Sequence, residues 1–278
     1  MAANDSRAQS RVAALVPAYN AGGFIQATLD SLSAQTWPSL DILISVDRCD
    51  DDTLAICRKH AERDSRFQVF EQPQRLGWVG NSNFLLQQAQ ADYALFAFHD
   101  DLLDPRYIEK LASALDAHSE AVLAYSDVEL TKQNGEKEHW TYLALDGARG
   151  RVERGLRMLR REGRWWVPNR GLFRLDRARG MGGVKRHGAG AFSADWPWLT
   201  HLSLLGTFVR VPETLCFKFY KQGSLSRTWQ FSNDQWVEAA ASCMREIWNS
   251  ELTTPEKLAL AGPLLSALAQ AASANAQR

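Results

Sequence analysis

In Tyr93-Ala94-Leu95-Phe96-Ala97-Phe98-His99-Asp100-Asp101, an apolar run breaks off into two adjacent carboxylates. A run so short and so apolar reads as a strand buried on both faces, as in a parallel sheet. In open α/β sheets the ligand crevice lies outside the carboxyl ends of the strands. Asp100 and Asp101 therefore stand where a ligand would sit. Carboxylates beside an apolar strand are costly unless a positive partner meets them. A hard divalent cation, held by one or two carboxylates and by substrate phosphates, is such a partner. A solvated Asp-Asp loop is the plainer alternative.

Two further acidic features carry chemistry. The run 41–46 ends in Asp47, with Asp50, Asp51 and Asp52 close behind. Those acids also suit the first turn of a following helix, by capping and through the helix dipole. Further along, Asp195 precedes Trp196, Trp198 and Leu199. Partial desolvation there would raise its pKa toward a value useful to a general base. Capping a helix from Pro197 onward is its bland role, and the two are compatible.

Alternating strand and helix patterns must position these groups. Val12-Ala13-Ala14-Leu15-Val16 reads as a first strand ended by Pro17, and helical spacing follows at Ile25, Leu29 and Leu32. The second strand is 41–46, and Leu54, Ile56 and Ala61 sit in the helix after it. A third strand at 67–70, a helix at 81–90 and a fourth strand at 93–98 complete the alternation. Repeated βα units of this length imply a parallel, doubly wound α/β sheet. Pro105 opens another helix with Ile108, Leu111 and Leu115 on one face. Residues 121–131 are strand-like, and Asn134-Gly135 signals a hairpin turn. Trp236, Ala240, Met244, Ile247 and Trp248 mark one side of an amphipathic helix, and a last helix is expected to kink or break near Pro263. No linker appears, so the chain reads as one globular unit.

The 278 residues include 32 Lys or Arg and 32 Asp or Glu, enough chain for one large α/β domain or two small ones. That neutrality argues against a general nucleic-acid binder. Cys49, Cys57, Cys216 and Cys243 lack metal-ligand spacing and read as reduced thiols. The polar N-terminal stretch lacks the apolar core of a signal peptide. The stretch 258–269, broken by Gly262 and Pro263, is too short to span a bilayer. The expected setting is the cytoplasm. Basic residues outnumber acidic ones over 149–186, which leaves open attraction to a phosphate-bearing acceptor or peripheral binding to the inner face of an anionic membrane.

Taken in order, several segments resemble family 2 glycosyltransferases. Val16-Pro17-Ala18-Tyr19-Asn20, Val46-Asp47-Arg48-Cys49-Asp50-Asp51-Asp52-Thr53 and Arg75-Leu76-Gly77-Trp78-Val79-Gly80-Asn81-Ser82-Asn83 resemble the family's first three motifs. His99-Asp100-Asp101 stands at the place of its metal-binding carboxylates. Tyr125-Ser126-Asp127-Val128-Glu129-Leu130, Ser193-Ala194-Asp195-Trp196-Pro197-Trp198-Leu199, Val211-Pro212-Glu213-Thr214-Leu215 and Gly223-Ser224-Leu225-Ser226 resemble its later strand and C-terminal signature. Each match alone is weak; their order and spacing carry the resemblance.

The resemblance implies a GT-A-like fold over 12–226, a doubly wound, mainly parallel sheet flanked by helices, with C-terminal helices at 227–278 packed on it. It implies inverting transfer of a sugar from a nucleotide diphosphate donor, a UDP-sugar favoured, to a hydroxyl of a glycan or lipid-linked acceptor. Mg²⁺ or Mn²⁺ would assist, and the commonest setting is bacterial cell-surface polysaccharide synthesis. By the same resemblance Pro17, Ala18 and Tyr19 line the base pocket, Asp47 accepts hydrogen bonds from a base N–H, and Arg75 helps hold the diphosphate. Asp101 coordinates the cation, Asp100 contacts ribose or metal-bound water, and Asp195 is the base. Trp165, Trp166, Trp196 and Trp198 offer flat faces to an acceptor sugar, although most tryptophans are core.

The chain also departs from the family pattern. Phe98 stands where many relatives have another Asp, and Ala194 where the usual pattern has Glu. Lys218-Phe219-Tyr220-Lys221-Gln222 fills the segment where many relatives carry a metal-assisting His. His99 reads as a structural hydrogen-bonder rather than a ligand. Two other classes stay open, a non-catalytic sugar-nucleotide binder and a nucleotidyltransferase. The latter usually has a basic, Gly-rich phosphate loop after its first strand, and Asn20-Ala21-Gly22-Gly23 is short and lacks Lys or Arg.

Overall fold

The computed structural model describes residues 9–221 and 227–276. The Gly223-Ser224-Leu225-Ser226 stretch, the expected boundary at 226 and the first eight residues of the N-terminus lie outside the described residues. Strand β1 (Val12–Ala18) is wholly buried. Strands β2 (Leu40–Val46) and β3 (Phe67–Glu71) add in parallel on one side, and β4 (Tyr93–Phe96) adds in parallel on the other. Helices α1 (Ile25–Ser33), α2 (Thr53–Ala61) and α3 (Gly77–Gln88) make the crossovers. The strand order therefore reverses between β1 and β4. That reversal is the switch point at which such sheets open a ligand crevice.

β1 does not stop at Pro17 as its sequence implies. It pairs with β2 as far as Ala18, but with β4 only as far as Leu15. The Pro17 carbonyl faces the β4 side, where it accepts a hydrogen bond from His99 Nδ1 at 2.8 Å. Its missing N–H points the same way, past the end of β4, so no ladder bond is lost.

The second half departs further from a parallel sheet. It contributes β5 (Asp101–Leu103), α4 (Tyr107–Ala117), β6 (Ala121–Thr131), β7 (Lys137–Trp140), α5 (Arg151–Leu159) and a 3₁₀ turn at Val167–Arg170. Then come β8 (Leu172–Arg174), α6 (Leu175–Gly180), α7 (Asp195–Leu205), β9 (Thr207–Phe219), α8 (Asn233–Asn249) and α9 (Thr254–Ala276). The sheet runs β3-β2-β1-β4-β8-β6-β9-β5, with β7 beside β6. β8 is antiparallel to β4 and β6, β5 is antiparallel to β9, and β6 and β9 are parallel. The sheet is thus mixed. β5 and β8 are three residues each, too short for any periodicity to reveal.

The core faces follow sequence spacing where helices are amphipathic. Ile25, Leu29 and Leu32 are buried on α1, and Ile108, Leu111 and Leu115 on α4. On α2 the buried face is Thr53, Cys57 and His60 rather than Leu54 and Ile56. Asn134-Gly135 forms the expected β6–β7 turn, with Gly135 at φ +81. α8 begins with a Ser232–Gln235 capping box and packs on α7, and α9 packs on α8 and α5. α9 runs on through Pro263 rather than breaking there. The cysteines are free thiols. No helix among the described residues is long and apolar enough to cross a membrane.

Candidate active site

The crevice at the ends of β1 and β4 is built by pinning two loops together. Thr28, buried on α1, is within donor range of the carbonyls of both His99 (3.0 Å) and Asp101 (3.1 Å). Together with the His99–Pro17 bond, this fixes the turn that presents Asp100 and Asp101. His99 thereby acts as a hydrogen-bonder between strands, as its sequence position implies.

Asp101 is 3 % exposed and opens β5. The antiparallel β5–β9 register sets it directly opposite Lys218, and opposed residues in a ladder share a face and meet. Lys218 Nζ lies 3.1 Å from Asp101 Oδ1 and 3.3 Å from Asp100 Oδ2. The other Asp101 oxygen, Oδ2, accepts from Arg170 Nε at 2.7 Å. Burial opposes the Arg170 charge, but Asp101 and its neighbours outweigh it and raise the pKa. Burial likewise pushes Asp100 up, yet Lys218, His99, Lys221 and Arg170 together hold it below its ordinary value. Lys221 Nζ sits 3.1 Å from the centre of the Phe24 ring. Burial pulls the Lys221 pKa down to about 8 against the pull of Asp100.

This donor set does not fit a divalent cation. Mg²⁺ needs carboxylate oxygens at about 2.0–2.1 Å in near-octahedral geometry. Both oxygens of Asp101 are already engaged by an ammonium and a guanidinium. An ion seated on either would lie a few ångströms from a positive charge. Among the described residues, no group of three or more His, Cys, Asp or Glu side chains could hold a metal. The sequence reading of Asp101 as a metal ligand assumed open oxygens. In this structure Lys218 and Arg170 engage both.

Asp195 is the first residue of α7, after Ser193 at φ +42 and Ala194. Ala194, the residue before the helix, makes no side-chain capping bond, while the Asp195 carboxyl stands against the Asp195 and Trp196 backbone N–H groups of the first turn. Its Oδ1 is sealed from solvent and has no hydrogen-bond partner. Burial raises its pKa to about 6, with Asp195 and Trp196 backbone N–H groups and the Arg170 charge opposing. Arg170 therefore acts on both Asp101 and Asp195. The start of α7 is anchored by Trp198, whose ring lies 5.6 Å from Phe96 and 5.4 Å from Phe173. Trp165, Trp196 and Trp198 are core side chains, not cleft walls, and Trp166 packs edge-on against Trp140.

Asp47 is buried at the end of β2. Its oxygens accept from the backbone N–H groups of Leu76 (2.7 Å) and Gly77 (2.9 Å). It thus ties β2 to the start of α3, which explains why that helix begins at Gly77, ahead of the predicted 81. Pro17 and Ala18 lie at the end of β1, and the Arg75 guanidinium stacks 3.9 Å over the Tyr19 ring. Arg75 is thus brought beside Tyr19 at the crevice mouth. Asn20, at φ +43, turns the chain there and accepts from Asp50 N at 3.1 Å.

Much of the basic stretch 149–186 is engaged in contacts within the molecule. Arg174 donates to the carbonyls of Ala121 and Leu115, Arg154 to Ser203, and Arg179 to Leu86. Arg151 pairs with Glu256, and Arg164 with Glu138. Arg170 belongs to this stretch, and no local pattern marks its role. Lys218 and Lys221 did carry a signal, since they stand in the segment where many relatives have His.

The family model for Glycosyl transferase family 2 matches residues 13–174. An uncharacterized glycosyltransferase of Haemophilus influenzae is 28% identical over 126 residues, 45% of this chain and 39% of that protein. Poly(ribitol-phosphate) beta-N-acetylglucosaminyltransferase TarS of Staphylococcus aureus is 31% identical over 124 residues, 44% of this chain and 20% of TarS. The chain thus spans less than half the length of these relatives. The likeness of fold is wider. S. aureus TarS 1–349 in complex with UDP-GlcNAc matches with a TM-score of 0.71 at 17% identity, over 92% of this chain and 71% of that one. The mannosyltransferase PcManGT from Pyrobaculum calidifontis, in complex with GDP-Man and Mn²⁺, matches with a TM-score of 0.61 at 18% identity, over 97% and 75%.

Proposed function

Because the chain belongs to glycosyl transferase family 2 and has a GT-A fold, we propose that it transfers a sugar from a nucleotide diphosphate to an acceptor hydroxyl with inversion. A UDP-sugar is the favoured donor, in keeping with the UDP-GlcNAc and UDP held by TarS. The acceptor is a glycan or lipid-linked hydroxyl in bacterial cell-surface polysaccharide assembly, on the cytoplasmic side. Residues 12–226 form the transferase domain, and the helices of 227–278 support it.

The observation that carries this reading is Asp195. It is a carboxylate with one orphaned oxygen, raised to about 6 by burial, at the head of a helix beside the switch-point crevice. A base must be ionised at working pH yet basic enough to take a proton, and this value serves both needs. Asp195 removes the acceptor O–H proton as that oxygen attacks the anomeric carbon. The bond from that carbon to the diphosphate breaks on the opposite face, and its electron pair leaves with the diphosphate. One displacement inverts the centre.

Pro17, Ala18 and Tyr19 border the nucleotide, with Arg75 held over Tyr19. Asp47 fixes the loop that carries Arg75 through the Leu76 and Gly77 amides and stands at the base side of the nucleotide. Asp100 sits at the ribose side. No step here runs through a divalent cation, since the residues present do not fit one.

A thermal-shift panel of nucleotide sugars and nucleoside diphosphates tests the reading. A donor at about a hundred times its dissociation constant should stabilise the fold by roughly 2.7 kcal/mol. Absence of any shift across UDP-, GDP-, CDP- and dTDP-sugars would remove the donor site.

A further inference from the structure

Loss of the glycosidic bond leaves negative charge on the diphosphate, and something positive must meet it. Beside the crevice lie three cations and two carboxylates, Arg170, Lys218 and Lys221 against Asp100 and Asp101. Asp195, which Arg170 also faces, is a third acid, so charges balance before any ligand arrives and an entering diphosphate competes with Asp100 for Lys218. Two of the three are fixed by the fold rather than by chance contact. Lys218 is set by the β5–β9 register, and Arg170 ends the 3₁₀ turn that leads into β8. Lys218 is 21% exposed at its side chain and Arg170 13%, so their charges are poorly screened. Lys218 reaches the open edge of the cluster, where Asp100 shares it.

We propose that Lys218 and Lys221, held in place by Asp100, Asp101 and Arg170, neutralise the departing diphosphate in place of a divalent cation, so that donor binding and transfer need no metal. The inference rests on the donor-site reading above. Asp101 then acts as a positioning residue, gripping Lys218 and Arg170 rather than a metal. Asp100 is the partner Lys218 exchanges for phosphate oxygens when the donor enters. Lys221 lies along the Phe24 ring on the same side and adds the second ammonium.

Calorimetry of UDP, GDP, CDP and dTDP binding decides this, each measured in EDTA and again with excess Mn²⁺. The parent protein should bind its preferred diphosphate in EDTA with an affinity within about twofold of that in Mn²⁺, a difference of under about half a kcal/mol. Lys218→Gln, verified as folded by circular dichroism, should bind about tenfold to a hundredfold more weakly in both buffers, the range of one charge-assisted contact. Binding by the parent only when Mn²⁺ is present would overturn this inference and leave the donor site standing. Unchanged affinity in Lys218→Gln would overturn the role of that lysine. Binding of no diphosphate in either buffer would overturn the donor site itself, and this inference with it.

Discussion

Lys218 faces Asp101 directly across the β5–β9 ladder, with Nζ 3.1 Å from Oδ1. The backbone register places the lysine opposite the buried carboxylate, within reach of its side chain. The same carboxylate binds Arg170 at 2.7 Å through its other oxygen.

Asp101→Ala should be strongly destabilising. The Asp101 and Arg170 side chains are 4% and 13% exposed, and removing one partner of such a pair strands the other charge. The expected loss is about 3–5 kcal/mol in urea unfolding. Arg58→Ala is the control. Its pair with Glu71 is more than half exposed on both sides, and the change should stay under about 1 kcal/mol.

Asp47→Ala should loosen the start of α3. It removes two charge-assisted acceptors from the Leu76 and Gly77 amides, each worth about 1.5–3 kcal/mol. Hydrogen exchange at those two amides should accelerate well before global unfolding does. Unchanged protection there would show that another group anchors the loop.

Much of the parallel half was legible in sequence, because continuous apolar runs and 3.6-residue spacing are strong local signals. β1 to β4, α1 and α4 follow from them. Asp195 stood out for the same reason, as one acid in an apolar segment. What sequence could not supply was long-range pairing. β5 and β8 are too short to show a period, and the Lys218–Asp101 meeting depends on a register over 117 residues of separation. Arg170 looked like one arginine among many. Only its place at the end of the 3₁₀ turn sets it apart. The oxygens of Asp47 were assigned to a ligand, and the α3 amides that claim them lie 29 and 30 residues away.

Turnover should fall as pH drops through about 6, because the Asp195 pKa is raised there by burial and the protonated acid is no base. Stability should move the opposite way. A folded pKa raised from 3.8 to about 6 favours the protonated form in the fold. Its stabilising contribution is full below pH about 4 and lost as pH rises through about 6. Asp195→Asn escapes that loss. Its stability relative to the parent should climb between pH 4 and 6 and level off at about 3 kcal/mol, since each tenfold gain in proton affinity is worth about 1.4 kcal/mol. Guanidinium melts of both proteins at pH 4 and pH 8 check the sign.

The most direct measurement is the rate of nucleoside diphosphate release from the preferred donor by the parent and by Asp195→Asn, with donor affinity measured alongside. A positioned base contributes about 10² to 10⁴ in rate. Asp195→Asn should therefore lose at least about a hundredfold in kcat while donor affinity stays within about threefold, the pattern of an interaction used in the transition state. Transfer to the acceptor at a rate within about threefold of the parent, well short of the expected base contribution, would contradict the central claim and send the search for the base elsewhere.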